Sequence, residues 1–127
     1  MHELSVANEI VKVVIREAEK RGAKQVKSVH LVVGKLTHLS KEQLTFCYNL
    51  LKKDTILKGS RLIITEQEPK VKCSSCGYLG PISKVADDEL GLWAVSLACP
   101  RCGGPVEIKE GLECRIKAIR MVVEDKN

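Results

Sequence analysis

Two Cys-x-x-Cys pairs, Cys73-Ser-Ser-Cys76 and Cys99-Pro-Arg-Cys102, constrain this chain more than any other feature. Each is followed at once by a glycine, Gly77 or Gly103. A Cys-x-x-Cys turn aims two thiolates at one point, and the glycine lets the backbone close tightly around them. Two such turns supply four soft sulfur donors, the set that Zn²⁺ takes in closed structural sites. The 22 residues between the pairs slightly exceed the usual ribbon loop without altering that reading. The alternatives are two disulfides or a redox dithiol. Disulfides imply an exported chain, and redox motifs sit singly at a helix start. The expected site is therefore zinc held by Cys73, Cys76, Cys99 and Cys102.

A chain of 127 residues makes one domain, or one domain with a small lobe. Phe46, Tyr48, Tyr78 and Trp93 are its only aromatic residues, so the core must be aliphatic. The formal charge of +5 counts cysteines as neutral. Four zinc-bound thiolates and the dication lower it to about +3, too mild to argue for nucleic acid. The opening Met-His-Glu-Leu-Ser lacks a basic stretch ahead of an apolar run, and no segment approaches the ~18 apolar residues of a membrane span. Six cysteines without an export signal point to metal ligation in a reducing cytoplasm.

Leu4, Ala7, Val11, Val14, Ile15 and Ala18 recur at helical spacing, so residues 4–21 read as an amphipathic helix stopped by Gly22. Residues 26–34 alternate as a strand. Ser40 and Gln43 form a capping box for a second helix over 40–53, with Leu44, Cys47, Leu50 and Leu51 expected inward. A second strand is expected over 60–67. From Lys70 to Gly111 the texture changes to turns, glycine, proline and the cysteines, with little aliphatic patterning. Leu112 to Val123 then resumes strand alternation. A lone strand cannot stand by itself. It is expected to return to the first sheet, making residues 70–111 an insertion. Residues 125–127 read as a frayed tail.

His2 follows Met1, and its bulk should leave that methionine in place. The α-amine, the next amide nitrogen and a second-position imidazole can close fused five- and six-membered rings on one metal. With the Glu3 amide added, the donors become four nitrogens in a plane, which favours Ni(II) or Cu(II) over Zn²⁺. Taken alone the signal is weak: a solvated terminus, with Glu3 complementing a helix dipole, accounts for it more simply.

The combination of motifs is more specific. Met1-His2-Glu3-Leu4, Val33-Gly34-Lys35-Leu36-Thr37, Asp54-Thr55 with Lys58-Gly59, and Glu66-Gln67-Glu68-Pro69 leading into the cysteine pairs together resemble the HypA family. That family comprises nickel metallochaperones of [NiFe]-hydrogenase maturation. The resemblance spans nearly the whole chain. It implies an α+β fold in which a small mixed sheet with two helices (1–69 plus 112–127) carries nickel, with an inserted zinc-ribbon-like lobe (70–111). By position, Met1, His2 and Glu3 become the nickel ligands, Glu3 through its amide and its carboxylate as a further candidate. His38 is a weaker candidate, more simply an exposed loop histidine. Many relatives have Glu where this chain has Lys35, and some an acid where it has Ser40, so ligation by those carboxylates is not carried over. The implied partners are a HypB-type GTPase and the hydrogenase large-subunit precursor, with urease accessory proteins and a homodimer as further candidates. No membrane or nucleic acid is expected.

No histidine occurs after His38, so the zinc set is predicted to be all sulfur. Cys47 and Cys114 read as small buried hydrophobes, His30 as packed or solvated, and Trp93 as a cover for the knuckles or a partner anchor. Nothing offers a catalytic constellation, so no enzyme is expected. The competing function is a zinc-ribbon nucleic-acid module using Lys70, Lys72, Lys84 and Arg101, against which Asp87, Asp88, Glu89 and Glu107 interleave. A redox dithiol protein is the third reading.

Overall fold

The structure is a computed structural model that describes residues 2–81 and 98–123. Met1, Lys84, Asp87, Asp88, Glu89, Trp93 and residues 125–127 lie outside the described residues. Among those described, the order is α1 (Glu3–Lys20), β1 (Ala23–Gly34), a 3₁₀ turn (Lys35–Thr37), α2 (Lys41–Leu51), β2 (Arg61–Gln67), β3 (Lys70–Cys73), β4 (Leu79–Gly80), β5 (Val106–Glu110) and β6 (Cys114–Val123).

Two three-stranded sheets result, β2-β1-β6 and β4-β3-β5. The first is mixed. β1 and β2 run parallel, joined by the crossover that a parallel pair requires, here through α2. β6 returns antiparallel on the other side of β1, as its isolated alternation had implied. The second sheet is antiparallel and carries the cysteine turns. Its strands were not visible in the sequence, because β3 and β4 span only four and two residues, and Val71 and Cys73 alone are buried there.

Ile10, Val11, Val14 and Ala18 of α1 meet Val29, Leu31 and Val33 of β1 and Leu44 and Tyr48 of α2 in a core that is aliphatic apart from Tyr48. α1 ends where expected: Gly22 adopts φ +64 and its N–H bonds the Glu19 carbonyl at 3.1 Å. Two inward assignments fail. Leu4 is 56% exposed and Leu50 48% exposed. At about 100° per residue, Leu50 lies some 120° away from Leu44 around the helix, whereas Tyr48 lies within about 40° of it. Tyr48 therefore takes the core position, and its hydroxyl is satisfied by Ser60 Oγ at 2.5 Å.

The chain leaves the first sheet beyond β2 and re-enters it at β6, on the far side of β1. Where the two passages meet, Gly34 N–H bonds the Glu113 carbonyl at 2.7 Å and Leu36 N–H bonds the Gly111 carbonyl at 2.8 Å. A Cβ on Gly34 would stand 2.1 Å from both C and O of Gly111 and 2.7 Å from the Leu112 nitrogen. All three are backbone atoms and cannot rotate aside. Gly34→Ala is expected to destabilise the chain by about 3 kcal/mol or more in urea unfolding. Gly59→Ala is the control: its Cβ would meet only the Gln25 amide at 3.7 Å, and a change within about 0.5 kcal/mol is expected. Equal stability of the two variants would show that the crossing has slack.

Candidate metal centres

The two cysteine turns are built alike. Gly77 N–H returns to the Cys73 carbonyl at 3.0 Å, and Gly103 N–H to the Cys99 carbonyl at 2.9 Å. Both glycines sit in the left-handed region, at φ +78 and +76, which the turn requires and side chains resist. Each turn is then pinned by the first cysteine's amide, Cys73 N–H to Tyr78 O and Cys99 N–H to Gly104 O, both at 2.8 Å. The Arg101 guanidinium lies 5.9 Å from the centre of the Tyr78 ring, tying one turn to the other.

All four sulfurs lie within 4.8 Å of one another. The Cys73–Cys102 and Cys76–Cys99 separations are each 3.6 Å. Sulfurs about 2.3 Å from a tetrahedral zinc are about 3.8 Å apart, whereas a disulfide needs about 2.05 Å. The donor set thus fits a closed S₄ site, and none of the cysteines is paired in a disulfide. The cluster is also tuned for ligation. The Cys76 backbone amide, followed by that of Ser75 and the neighbouring sulfurs, brings the Cys73 thiol down to about 6. Burial opposes ionisation at Cys99, but the Cys102 and Arg101 amides prevail and lower it. At Cys102 the Gly104 amide favours the thiolate, yet Cys73, burial, Cys76 and Cys99 together push it up to about 11. Four thiolates cannot share this space without a cation.

The amino terminus is arranged differently. His2 is exposed, in extended conformation at the N-cap of α1, with its side chain making no capping bond and its carbonyl accepting from Val6 N–H at 3.1 Å. Glu3 is engaged. Ser40 caps α2 through its hydroxyl, which accepts from Gln43 N–H at 3.2 Å, as the motif predicts. In a capping box the residue at the position of Gln43 would accept the Ser40 amide in return. Here Glu3 Oε2 accepts it instead, at 2.8 Å, from 37 positions away. That amide holds the Glu3 carboxyl below its ordinary range. No local pattern could have revealed this bond.

His38 sits in the left-handed region at φ 60, closing the 3₁₀ turn, and the described residues do not assemble it with His2 and Glu3 into a cluster of potential metal ligands. Lys35 is paired with Glu68, whose carboxylate raises the ammonium pKa. His30 shares a 2.7 Å hydrogen bond with Thr65 Oγ1. Cys47 is buried, while Cys114 is half-buried against the core and its thiol is pushed up by burial. Among the described residues, no helix is long and apolar enough to cross a membrane.

Comparison with known proteins adds the following. The family model described as "Hydrogenase/urease nickel incorporation, metallochaperone, hypA" matches residues 1–121. A hydrogenase maturation factor HypA from Methanosarcina barkeri is 37% identical over the full length of both chains. One from Methanothermobacter thermautotrophicus is 39% identical, covering 98% of this chain and all of that one. The solution structure of the Ni metallochaperone HypA from Helicobacter pylori superposes with a TM-score of 0.68 over 98% of this chain and all of that one, at 21% identity, a likeness of fold.

Proposed function

The chain belongs to the HypA family of nickel metallochaperones for hydrogenase maturation, and from that premise we propose that its amino terminus carries the nickel while the cysteine cluster holds zinc. The observation that carries this reading is the match across residues 1–121 to a nickel-incorporation family by a chain that begins Met-His-Glu.

Nickel is the cargo. The α-amine of Met1, the imidazole and amide of His2 and the amide of Glu3 form its planar nitrogen set. Two observations support this choice over a carboxylate site: His2 stands exposed without a capping bond, and the Glu3 carboxylate is already committed to Ser40. A site made of the terminus itself suits a carrier, since few side chains need to rearrange to release the ion. Zinc, held by Cys73, Cys76, Cys99 and Cys102, would supply a fixed crosslink and no chemistry, because a four-sulfur site leaves no open position. Residues 1–69 with 112–127 then form the nickel-carrying lobe and residues 70–111 the zinc lobe. Working as a carrier and not an enzyme, in the cytoplasm, the chain hands its ion to a maturation apparatus of a HypB-type GTPase and the hydrogenase large-subunit precursor. Urease accessory proteins and a second copy of the chain are further partners on this reading.

Nickel titration of the apo, zinc-loaded chain with its native start is the test. One tight equivalent per chain is expected, weakened by adding a single residue ahead of Met1. Material that ignores Ni²⁺ altogether would overturn the reading, while an extension without effect would remove only the α-amine from the ligand set.

A further inference from the structure

The first sheet ends in an open edge at β6. The order β2-β1-β6 gives that strand one neighbour, β1, and among the described residues its other side pairs with nothing. At ten residues, Cys114–Val123, it presents a long row of unpaired backbone N–H and C=O groups. Such a row is a template for one more strand, main-chain bonds giving affinity and alternate side chains giving specificity. β2, at the opposite edge, is shorter at seven residues and mixes Arg61 with Glu66.

The core side of β6 is incompletely roofed. Two hollows of about 600 and 910 Å³ lie between it and α1; they share Val13 and Ile116 and so form one groove along the strand. Val6, Ile10 and Val13 line it from the helix, and Ile116, Ile119 and Met121 from the strand. Glu9 and Glu17 stand on the helix rim, Glu17 already paired with Lys20 and Arg21. A strand added beside β6 would lay every second side chain against this groove.

Charge decides what that strand is. β6 carries Arg115, Lys117 and Arg120, all exposed, and no acid. Arg115 opposes Val32 and Arg120 opposes Ser28, which puts both on the face that the helices leave bare. Lys117 has no opposite number on β1, since His30 pairs with Ala118 and Leu31 with Ile116. Edge lysines and bulges deter pairing with like strands. A second β6 laid alongside would set three cations against three more. Carboxylates are drawn by the same charges.

We propose that β6 docks an extended segment of a partner protein in which apolar residues alternate with acidic ones. The apolar side chains cover the groove beside α1, and the carboxylates lie next to Arg115 and Arg120, directly opposed residues having Cβ atoms about 5 Å apart. The backbone of the segment satisfies the open edge. The surface stands apart from the nickel reading, and loss of nickel binding does not bear on it.

The test is an amide NMR titration of the zinc-loaded chain at low ionic strength with three synthetic peptides. One has five Glu-Val repeats, one has five Lys-Val repeats, and one has five Glu followed by five Val. The Glu-Val repeat is expected to shift the β6 amides saturably and to slow hydrogen exchange of those facing away from β1. The Lys-Val repeat and the blocked peptide should bind about tenfold more weakly or less. Arg115→Glu combined with Arg120→Glu, both at exposed positions, is expected to exchange the preference to Lys-Val while the β1 amides stay protected. The proposal is overturned if no peptide moves β6, which makes the edge merely a guarded one. It is equally overturned if the blocked or basic peptide matches Glu-Val, or if the doubly reversed variant titrates like the parent. Shifts of β6 that follow the chain's own concentration and no peptide would assign the edge to a second copy and overturn it too.

Discussion

His2→Ala is expected to leave the chain folded and zinc-loaded while nickel affinity falls by well over a hundredfold. Loss of a residue that merely orients a ligand costs about 10–100-fold in metal affinity, and His2 supplies a donor itself on this reading. Substitution also removes the six-membered chelate ring, so the loss exceeds one bond. The fold has no stake in the imidazole: it is exposed and makes no capping bond at the start of α1. Glu3→Ala is the companion variant. Its carboxylate caps the Ser40 amide, so this change is expected to fray the start of α2 yet retain one nickel. Isothermal titration with both variants separates a nitrogen site from a carboxylate site. Nickel lost with Glu3 and kept with His2 would invert the proposed ligand set.

Removal of zinc is expected to unfold the second sheet and spare the first. Apparent binding free energies of structural zinc run to about 10–16 kcal/mol, more than a small lobe gains from burial. Little else holds β3, β4 and β5 together: among the described residues there, only Val71, Cys73 and Cys99 are buried. The core of α1, α2 and β2-β1-β6 does not include those side chains. Chelation, or Cys99→Ser, should therefore abolish amide protection in β3 and β5 while protection in β1 persists. X-ray absorption of the loaded chain should report four sulfurs and no nitrogen at zinc near neutral pH, since no histidine follows His38. Protection of β3 that survives chelation would sink the structural role assigned to the ion.

Long elements were legible in the residues, and short or distant ones were not. α1, α2, β1 and β2 lie within a few residues of their expected bounds, because each shows two or more periods of its own repeat. β6 was placed on the first sheet by exclusion, a single strand having no other partner. β3 and β4 are too short for any periodicity to emerge. The cysteine turns announced themselves through chemistry, since spacing and glycine follow directly from what a metal needs. The Glu3–Ser40 bond was illegible for the opposite reason: it joins two helix starts by tertiary contact, and the local motif already offered Gln43 as the acceptor for that amide.

The crossing at Gly34 and Gly111 also dictates how this chain tolerates surgery. Because β6 belongs to the first sheet, cutting the polypeptide after Pro69 strips one whole flank from β1 and spills its aliphatic side chains into water. Excision is another matter. Pro69 and Gly111 already touch, with the proline Cα 3.0 Å from where a glycine Cβ would be, so the stumps left by removing everything between them are neighbours in space. The cysteine-bearing segment is thus grafted in like a bud on a stem, with both of its ends meeting at one node.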